Sequence, residues 1–205
     1  MKFDYVIGNP PYQEVDGGSG ASATPVYNKF IEETKTLNPT AMSFIIPAKW
    51  YSGGKGLDKF REQMLNDKRM AVLVDYPNSL DVFPNVDVAG GVCYFVWAKS
   101  HEGKCYYINY RDGVKTSEYR DLNEFSTFIR YPIAAEIVKK VRLKGEQTLD
   151  TIVSSRKPFG LATNVKPLKA GDIQLRFNGG IGPYKRSLIS TGIENIDRYK
   201  IIISY

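Results

Sequence analysis

Apolar and polar residues follow two different periods near the start of the chain, and they predict a strand, a loop and a helix in succession. Residues 2–8 are rich in aromatic and β-branched residues and end at a glycine, which is typical of a strand. Residues 16–23 consist of Gly, Ser, Ala and one Asp, and they predict a loop that is flexible or ordered by a ligand. Thr24 is a candidate N-cap with Pro25 at the first helical position, and apolar residues at helical spacing predict a helix to about Leu37.

The following segments predict more strands, with a further helix between them. The predicted strands cover residues 41–46, 69–75, 92–99 and 104–110, and the predicted helix covers residues 57–66. The last two strands flank a short polar segment at 101–103, which predicts that they pair as a hairpin. Strands that alternate with helices and end in an antiparallel hairpin predict an α/β fold with a mostly parallel, twisted sheet.

The C-terminal part of the chain has a different pattern. Residues 132–143 predict a helix whose basic residues at the C-terminal end suit the helix dipole. Beyond Thr148 the pattern predicts short strands that prolines and glycines interrupt. We therefore predict two domains, 1–147 and 148–205, the second mixed or rich in β-structure.

Composition narrows the classes of protein. The chain has 205 residues, 42% of them hydrophobic and 24% charged, which is typical of a folded globular protein. Its apolar runs are shorter than the roughly 18 residues of a membrane-spanning helix, and it lacks a signal-peptide pattern, so we expect a cytoplasmic protein without a membrane partner. Cys93 and Cys105 show no metal-ligand spacing and His101 is the only histidine, so we expect neither a metal site, a disulfide scaffold nor a His-based triad.

Charge is distributed unevenly along the chain. Residues 1–129 carry 14 Lys and Arg against 16 Asp and Glu, whereas residues 130–205 carry 14 against 6, so their net charges are −2 and +8. A basic excess confined to one segment indicates a polyanionic partner, because clustered cations neutralise phosphates. A basic surface that is merely solvated is the alternative at this point.

The loop after the first strand carries the most specific motif. The segment Ile7-Gly8-Asn9-Pro10-Pro11-Tyr12 resembles the catalytic motif of the DNA methyltransferases that modify the exocyclic amino group of adenine. The resemblance implies that the Asn9 side-chain oxygen and the Pro10 carbonyl accept the two amino hydrogens, and that Tyr12 stacks on a base flipped out of the duplex. Pro11 stiffens the Pro10 carbonyl because it fixes the backbone and removes a competing N–H.

The resemblance extends through about 110 residues in the order of the gamma-type enzymes. It implies that Phe30 contacts the adenine ring of the cofactor S-adenosylmethionine, and that Pro47 helps to shape the target-base pocket. It also implies that an aromatic residue of the strand at 92–99 opposes the catalytic tyrosine, with Trp97 favoured over Phe95. Packing in a hydrophobic core is the alternative role for these aromatic residues.

The sequence is most similar to the methyltransferase part of type IIG restriction-modification enzymes. That similarity implies a double-stranded DNA partner and methyl transfer without a metal, and it leaves open whether a nuclease is fused in the full-length chain. Residues after 148 resemble the start of a target-recognition region, in keeping with the charge there. The candidate DNA-binding residues are Lys157, Lys166, Arg176, Lys185 and Arg186.

The chain departs from the gamma-type pattern at its beginning. Only eight residues precede Asn9, whereas the family carries its cofactor-binding glycine motif ahead of the catalytic loop. We therefore predict the C-terminal half of a Rossmann-like methyltransferase sheet, which alone binds S-adenosylmethionine poorly and is inactive. Three alternatives remain: a related enzyme acting on RNA or protein, a non-catalytic DNA-binding or specificity module on the same scaffold, and a small-molecule α/β enzyme.

Overall fold

The computed structural model describes residues 3–14, 24–54, 56–154 and 156–201. The chain divides into two compact units, Met1–Leu143 and Lys144–Tyr205. This division lies four residues before the predicted boundary between residues 147 and 148. The loop predicted at 16–23 falls outside the described residues.

A six-stranded sheet forms the centre of the first unit. The strands of this unit are β1 (Tyr5–Gly8), β2 (Gln13–Glu14), β3 (Thr24–Pro25), β4 (Ala41–Pro47), β5 (Met70–Tyr76), β6 (Val92–Ala98), β7 (Cys105–Arg111) and β8 (Val114–Arg120). The large sheet has the order β1-β4-β6-β5-β7-β8, and β2 pairs with β3 in a separate ribbon. Strand β1 is parallel to β4, and β5 is parallel to β7, whereas β6 and β8 are antiparallel to their neighbours. Four of the six strands, β1, β4, β5 and β7, therefore run in one direction. The predicted α/β class with a largely parallel sheet is confirmed at this level.

The described residues of this unit also form three α-helices: α1 (Tyr27–Thr36), α2 (Asp58–Asn66) and α3 (Pro132–Leu143). The predictions of α2 and α3 are confirmed, but the predicted start of α1 is wrong. Thr24 and Pro25 form strand β3 opposite Glu14 and Gln13, and Val26 is the residue that precedes the helix. The ribbon requires an extended backbone at Thr24 and Pro25, so Thr24 is not available as a helix cap.

The predicted hairpin between β6 and β7 is also wrong, because β5 lies between them. Strand β6 pairs antiparallel with both β4 and β5, and the six residues 99–104 lead to β7 on the far side of β5. A central position suits β6, since it buries Phe95 and Trp97 and pairs along both of its edges. The true terminal hairpin joins β7 to β8 through Asp112 and Gly113, both with positive φ. An Asp-Gly pair is the usual signal for such a turn, so the sequence indicates this hairpin although it was not predicted.

The hydrophobic core lies on one face of the sheet, beneath α1 and α2. Alternate residues of β4 and β6 face it, since side chains two positions apart in a strand share a face. The helices contribute apolar residues that are also almost completely buried. The main members are Met42, Phe44, Ile46, Cys93, Phe95 and Trp97 from the strands and Ile31, Phe60 and Met64 from the helices.

The second unit contains a two-stranded antiparallel ribbon of β9 (Ile173–Phe177) and β10 (Gly180–Tyr184). Leu168 extends it by donating its backbone N–H to the Pro183 carbonyl over 2.8 Å. Gly171 lies so close to the backbone of Tyr184 that a Cβ would come within 2.0 Å of its carbonyl oxygen. Across the described residues of both units, we find no helix with the length and apolar character needed to cross a membrane.

Asp67, directly after α2, connects four elements of the first unit. Its carboxylate accepts hydrogen bonds from Lys35 Nζ at 2.9 Å, Arg69 Nε at 2.7 Å and Trp97 Nε1 at 2.9 Å. Burial alone would raise the pKa of Asp67, but these donors outweigh it and hold the pKa well below the usual range for aspartate. The carboxylate therefore joins α1, α2, β5 and β6 in its charged form.

A second carboxylate, Asp75 near the end of β5, is completely buried. Arg130 binds it through Nη2 at 2.6 Å and Nε at 2.8 Å, and Asn109 Nδ2 and the Tyr107 hydroxyl donate to it at 2.7 and 3.0 Å. Burial favours the neutral form of Arg130, but the contact with Asp75 outweighs it and raises the pKa of the guanidinium. Arg130 also donates Nη1 to the Gly90 carbonyl at 2.7 Å, which links the ion pair to the turn before β6.

We expect Asp67→Asn to lower the stability of the chain at pH 7 by about 1–2 kcal/mol, because charge-assisted bonds are lost. An aspartate with a lowered folded-state pKa contributes stability above its unfolded pKa of about 4, and this contribution disappears as the pH falls toward the folded value. The difference between parent and variant in urea unfolding should therefore shrink between pH 4 and pH 2. A constant difference would contradict this assignment, and Asp112→Asn, at an exposed ion pair, is the control.

Arg130→Met is expected to destabilise the chain by about 3–5 kcal/mol, because it leaves the buried charge of Asp75 without its partner. The matched control is Arg111→Met, which removes an arginine whose ion pair with Asp112 is exposed and should cost at most about 1 kcal/mol. Chemical unfolding at pH 7 measures both. Similar losses in the two variants would show that the Asp75 network is not a centre of stability.

Candidate functional site

The loop Asn9–Tyr12 begins where β1 ends, at the carboxyl edge of the sheet. Gly8, the last residue of β1, is in register with Phe44 of the parallel strand β4. Strand β4 ends three residues later at Pro47, which is paired with Val92, the first residue of antiparallel β6. The ends of β1 and β4 and the beginning of β6 therefore meet at one edge, where open α/β sheets bind ligands.

The four loop residues differ in their exposure. Asn9 and Pro11 are exposed, Pro10 is buried and Tyr12 is half-buried. The Asn9 side chain makes no hydrogen bond with any described residue, so its amide oxygen is free to accept one. The backbone carbonyl of Tyr12 accepts from the Val26 N–H at 3.3 Å, which ties the loop to the start of α1. The loop is thus anchored at Tyr12 and presents an exposed amide that no residue of the described part of the chain binds.

Pro47 is buried and leads into a 3₁₀ turn at Ala48–Tyr51. The Ala48 N–H donates to the Gly91 carbonyl at 3.0 Å, which joins this turn to the segment before β6. Gly91 has φ +81°, and a Cβ there would lie 2.1 Å from the Tyr76 carbonyl oxygen. Only glycine fits this position, so the segment passes directly over the end of β5.

The structure does not bring Trp97 and Phe95 to this edge. Trp97 is in register with Met42, which pairs with Val6 of β1. The indole N–H of Trp97 donates to the carboxylate of Asp67. Phe95 stacks on Phe44 with ring centroids 6.2 Å apart. Both rings are at most 1% exposed, so neither presents a face to a base in this structure.

The residue of β6 that faces the core at the loop's edge is Cys93, which the sequence analysis did not select. Strand β6 runs opposite to β1 and β4, so its beginning meets their ends. Burial raises the pKa of the Cys93 thiol to about 12, so the thiol is neutral at physiological pH. Knowledge of the strand direction would have identified Cys93, but a local sequence pattern does not supply it.

Phe30 lies on α1 at the margin of the stripe formed by the buried residues Tyr27, Ile31 and Thr34. Its side chain is 47% exposed, so much of the ring is available to another molecule. The exposed ring is compatible with the predicted contact to an adenine ring. Phe30 is the single cofactor-binding candidate that was selected from the sequence.

The candidate DNA-binding residues all lie in the second unit. Four of them are exposed, and Arg186 is half-buried and forms an ion pair with Asp197 at 2.8 Å. The exposed residues are Lys157, Lys166, Arg176 and Lys185. Lys166 lies over the ring of Phe177, with its Nζ 5.7 Å from the centroid. The described residues of this unit contain no cluster of three or more His, Cys, Asp or Glu side chains that could hold a metal ion.

Comparison with known proteins gives similarities for parts of the chain. Residues 1–83 match the model of the Eco57I restriction-modification methylase family. An uncharacterized adenine-specific methylase from Mycoplasma pneumoniae (strain ATCC 29342 / M129 / Subtype 1) is 35% identical over 107 residues, which are 51% of this chain and 25% of the relative. The chain thus spans a quarter of the length of this relative.

Solved structures with a similar arrangement include two subunits of type I restriction systems. The methyltransferase subunit of a type I restriction-modification system from Streptococcus thermophilus is 15% identical, with a TM-score of 0.39, and the alignment covers 72% of this chain and 33% of that one. The modification subunit of a putative type I restriction enzyme from Vibrio vulnificus is 11% identical, with a TM-score of 0.38 and coverages of 72% and 32%. Residues 1–83 are thus similar to the Eco57I restriction-modification methylase family, and the resemblance to adenine-specific methylases that the sequence indicated is confirmed.

Proposed function

We propose that this chain is part of a site-specific DNA methyltransferase that modifies the N6 amino group of adenine. The observation that carries the proposal is the placement of Asn9–Tyr12 at the carboxyl edge of the sheet, with an exposed Asn9 amide that no described residue binds. The match of residues 1–83 to a restriction-modification methylase family supports it. The fold alone would not support this proposal, because proteins with the same fold have many different functions.

The loop has the groups that this chemistry requires. The amino nitrogen of adenine is a poor nucleophile, because its lone pair is delocalised into the ring. Acceptors at Asn9 Oδ1 and the Pro10 carbonyl would draw positive charge from the nitrogen as the new bond forms, and Pro11 leaves that carbonyl without a neighbouring N–H. Tyr12 would stack on the flipped base, beside a pocket wall at Pro47. In this proposal Phe95 and Trp97 pack in the hydrophobic core and do not contact the base. The methyl transfer uses no metal ion.

The proposed cofactor is S-adenosylmethionine, which supplies the methyl group on a sulfonium. Among the described residues we assign only the half-exposed ring of Phe30 to it. This assignment fits an apolar, planar contact, and it leaves the charged and ribose groups of the cofactor to be bound by other parts of a larger protein.

The edge of the sheet supports the proposal that residues 1–147 are the catalytic half of a larger, Rossmann-like methyltransferase domain. Among the described strands, β1 pairs only with β4, so no described strand lies along its other edge. Tyr5 and Ile7 of β1 lie on the face opposite Val6, which packs on the core, and they are 72% and 85% exposed. An apolar, unpaired edge strand is unfavourable in water, and additional strands or helices would cover it. On this proposal the isolated chain binds the cofactor poorly and is inactive.

We propose that residues 148–205 begin a region that recognises double-stranded DNA. Four of the five candidate cations selected there are exposed, and the described ion pairs involve none of Lys157, Arg176 and Lys185. Such side chains bind phosphates and position a protein on the duplex without reading the bases. We also propose that the full-length protein lies in the cytoplasm. A nuclease domain fused to it would be consistent with its similarity to restriction-modification methylases.

The first test is Asn9→Ala in the full-length methyltransferase. Loss of one acceptor should reduce methyl transfer by about 100-fold or more, by analogy with the loss of one preorganised polar group in other enzymes, while DNA binding remains unchanged. The assay follows labelled methyl transfer to a duplex, with filter binding measured in parallel. The control is Asn123→Ala, which removes an exposed amide bonded to Asn66, away from the loop. Unchanged methyl transfer would favour a non-catalytic DNA-binding module instead.

The second test is the double variant Arg176→Glu and Lys185→Glu. If both residues contact phosphates, non-specific DNA affinity should fall, and the slope of log affinity against log salt should decrease by about 0.9 per lost contact. Fluorescence anisotropy with a duplex between 50 and 300 mM salt measures both quantities. The control, Lys59→Glu with Lys99→Glu, makes the same change in net charge at exposed positions of the first unit. Equal effects in the two double variants would show that only net charge matters.

A further inference from the structure

The turn after β4, Ala48–Tyr51, exposes one side chain, that of Lys49. The other three residues of the turn, Ala48, Trp50 and Tyr51, are at most 2% exposed and belong to the hydrophobic core. The ammonium group of Lys49 makes no ion pair or hydrogen bond with any residue of the described ranges. A turn anchored in the core thus carries a positive charge that the described part of the chain does not neutralise.

The backbone of Lys49 is held by the segment that leads into β6. The preceding residue, Ala48, donates its N–H to the Gly91 carbonyl at 3.0 Å. A Cβ at Gly90 would lie 3.9 Å from the Cα of Lys49, so the turn and this segment are in contact. The Gly90 carbonyl in turn accepts a hydrogen bond from Arg130 at 2.7 Å. The Cα of Lys49 is therefore fixed, whereas its exposed side chain is free to bind another molecule.

Lys49 lies at the same edge of the sheet as Asn9. Strands β1 and β4 are parallel neighbours, and neighbouring strands are about 4.8 Å apart. Asn9 is the first residue after β1, and Lys49 is the second residue after β4. The carboxylate of Asp75 is paired within its own network, and the exposed Asp81 and Asp87, between β5 and β6, form no ion pair with Lys49. The ammonium group is therefore available to an anion at this edge.

The proposed function restricts what a cation at this edge can do. An ammonium group donates hydrogen bonds, so it cannot accept the amino hydrogens of adenine as Asn9 does. Beside the amino nitrogen it would also oppose the positive charge that develops there during methyl transfer. The strongest acceptor that DNA offers is instead a backbone phosphate, which lysine binds as a point charge.

We propose that Lys49 binds a backbone phosphate beside the adenine that is flipped out of the duplex. The inference rests on the proposed function and deepens it, because it assigns a DNA contact to the first unit. Extrusion rotates the nucleotide about its backbone, so the flanking phosphates change position. A cation on a fixed turn holds one of them where the extruded nucleotide requires it. Lys49 is a substrate-binding residue in this scheme, and Asn9 and Pro10 act on the amino group.

The test combines Lys49→Gln with the removal of single phosphate charges from the DNA. The preferred duplex of the full-length protein is selected from random sequences, and one methylphosphonate is placed in turn beside each adenine. At one placement at least, parent binding should weaken about tenfold, which is the effect of losing one charge-assisted contact. Lys49→Gln should weaken binding to the unmodified duplex similarly and should be insensitive to that placement. Effects of variant and methylphosphonate that are independent at every placement would overturn the proposal.

Two control variants separate this contact from the net charge of the protein. Lys49→Arg keeps the positive charge and should bind both kinds of duplex as the parent does. Lys99→Gln removes an exposed lysine just after the end of β6, at the opposite edge of the sheet. It should remain as sensitive to the methylphosphonate as the parent. Loss of that sensitivity in Lys99→Gln would show that net charge, and not a contact of Lys49, is responsible.

The carboxylate of the proposed cofactor is the other anion that Lys49 could bind, and calorimetry distinguishes it from the phosphate. Weaker binding of S-adenosylmethionine by Lys49→Gln, with unchanged affinity for the duplex, would overturn the proposal. The DNA-binding measurements do not involve methyl transfer. If the parent shows the expected coupling but does not methylate adenine, the proposed function fails and the phosphate contact remains. If it methylates adenine and no placement couples to Lys49, only the phosphate contact fails.

Discussion

The antiparallel insertion of β6 between β4 and β5 is the constraint on which the first unit depends. It joins two parallel pairs, β1 with β4 and β5 with β7, into one sheet. Its core-facing residues Cys93, Phe95 and Trp97 contribute to the apolar layer that α1 and α2 cover. Because β6 starts where β1, β4 and β5 end, the first of these residues, and not the last, lies at the edge that carries the loop Asn9–Tyr12.

The carboxyl edge combines a rigid frame with unbonded groups. Asp75 is fully bonded by Arg130, Asn109 and Tyr107, and Arg130 holds the turn that leads into β6. At the same edge of the sheet, separated from β5 by two strands, Asn9 is exposed and its amide is unbonded to the described residues. A site that polarises an amino group needs both features, because free acceptors act best when their surroundings do not have to rearrange. The ion pair thus contributes to stability and holds the segment that leads into β6.

Local sequence patterns predicted most of the individual elements. Strands β1, β4, β5, β6 and β7 and helices α2 and α3 were found because apolar periodicity reports directly which side of an element is buried. The errors occurred where pairing overrides local preference. Thr24 and Pro25 fit a helix start but pair with Gln13 and Glu14. The β8 hairpin was missed although the Asp112-Gly113 pair indicated it.

By itself, the sequence determined the loop Asn9–Tyr12, its position after a strand, and the concentration of positive charge beyond residue 130. These features depend on neighbouring residues, whose conformations are limited by local sterics and composition. The tertiary structure decided which residue of β6 lies at the edge of that loop, and it is Cys93, not Trp97 or Phe95. Strand order and direction follow from pairing between distant segments and from the burial of a shared face, and no local pattern encodes that competition.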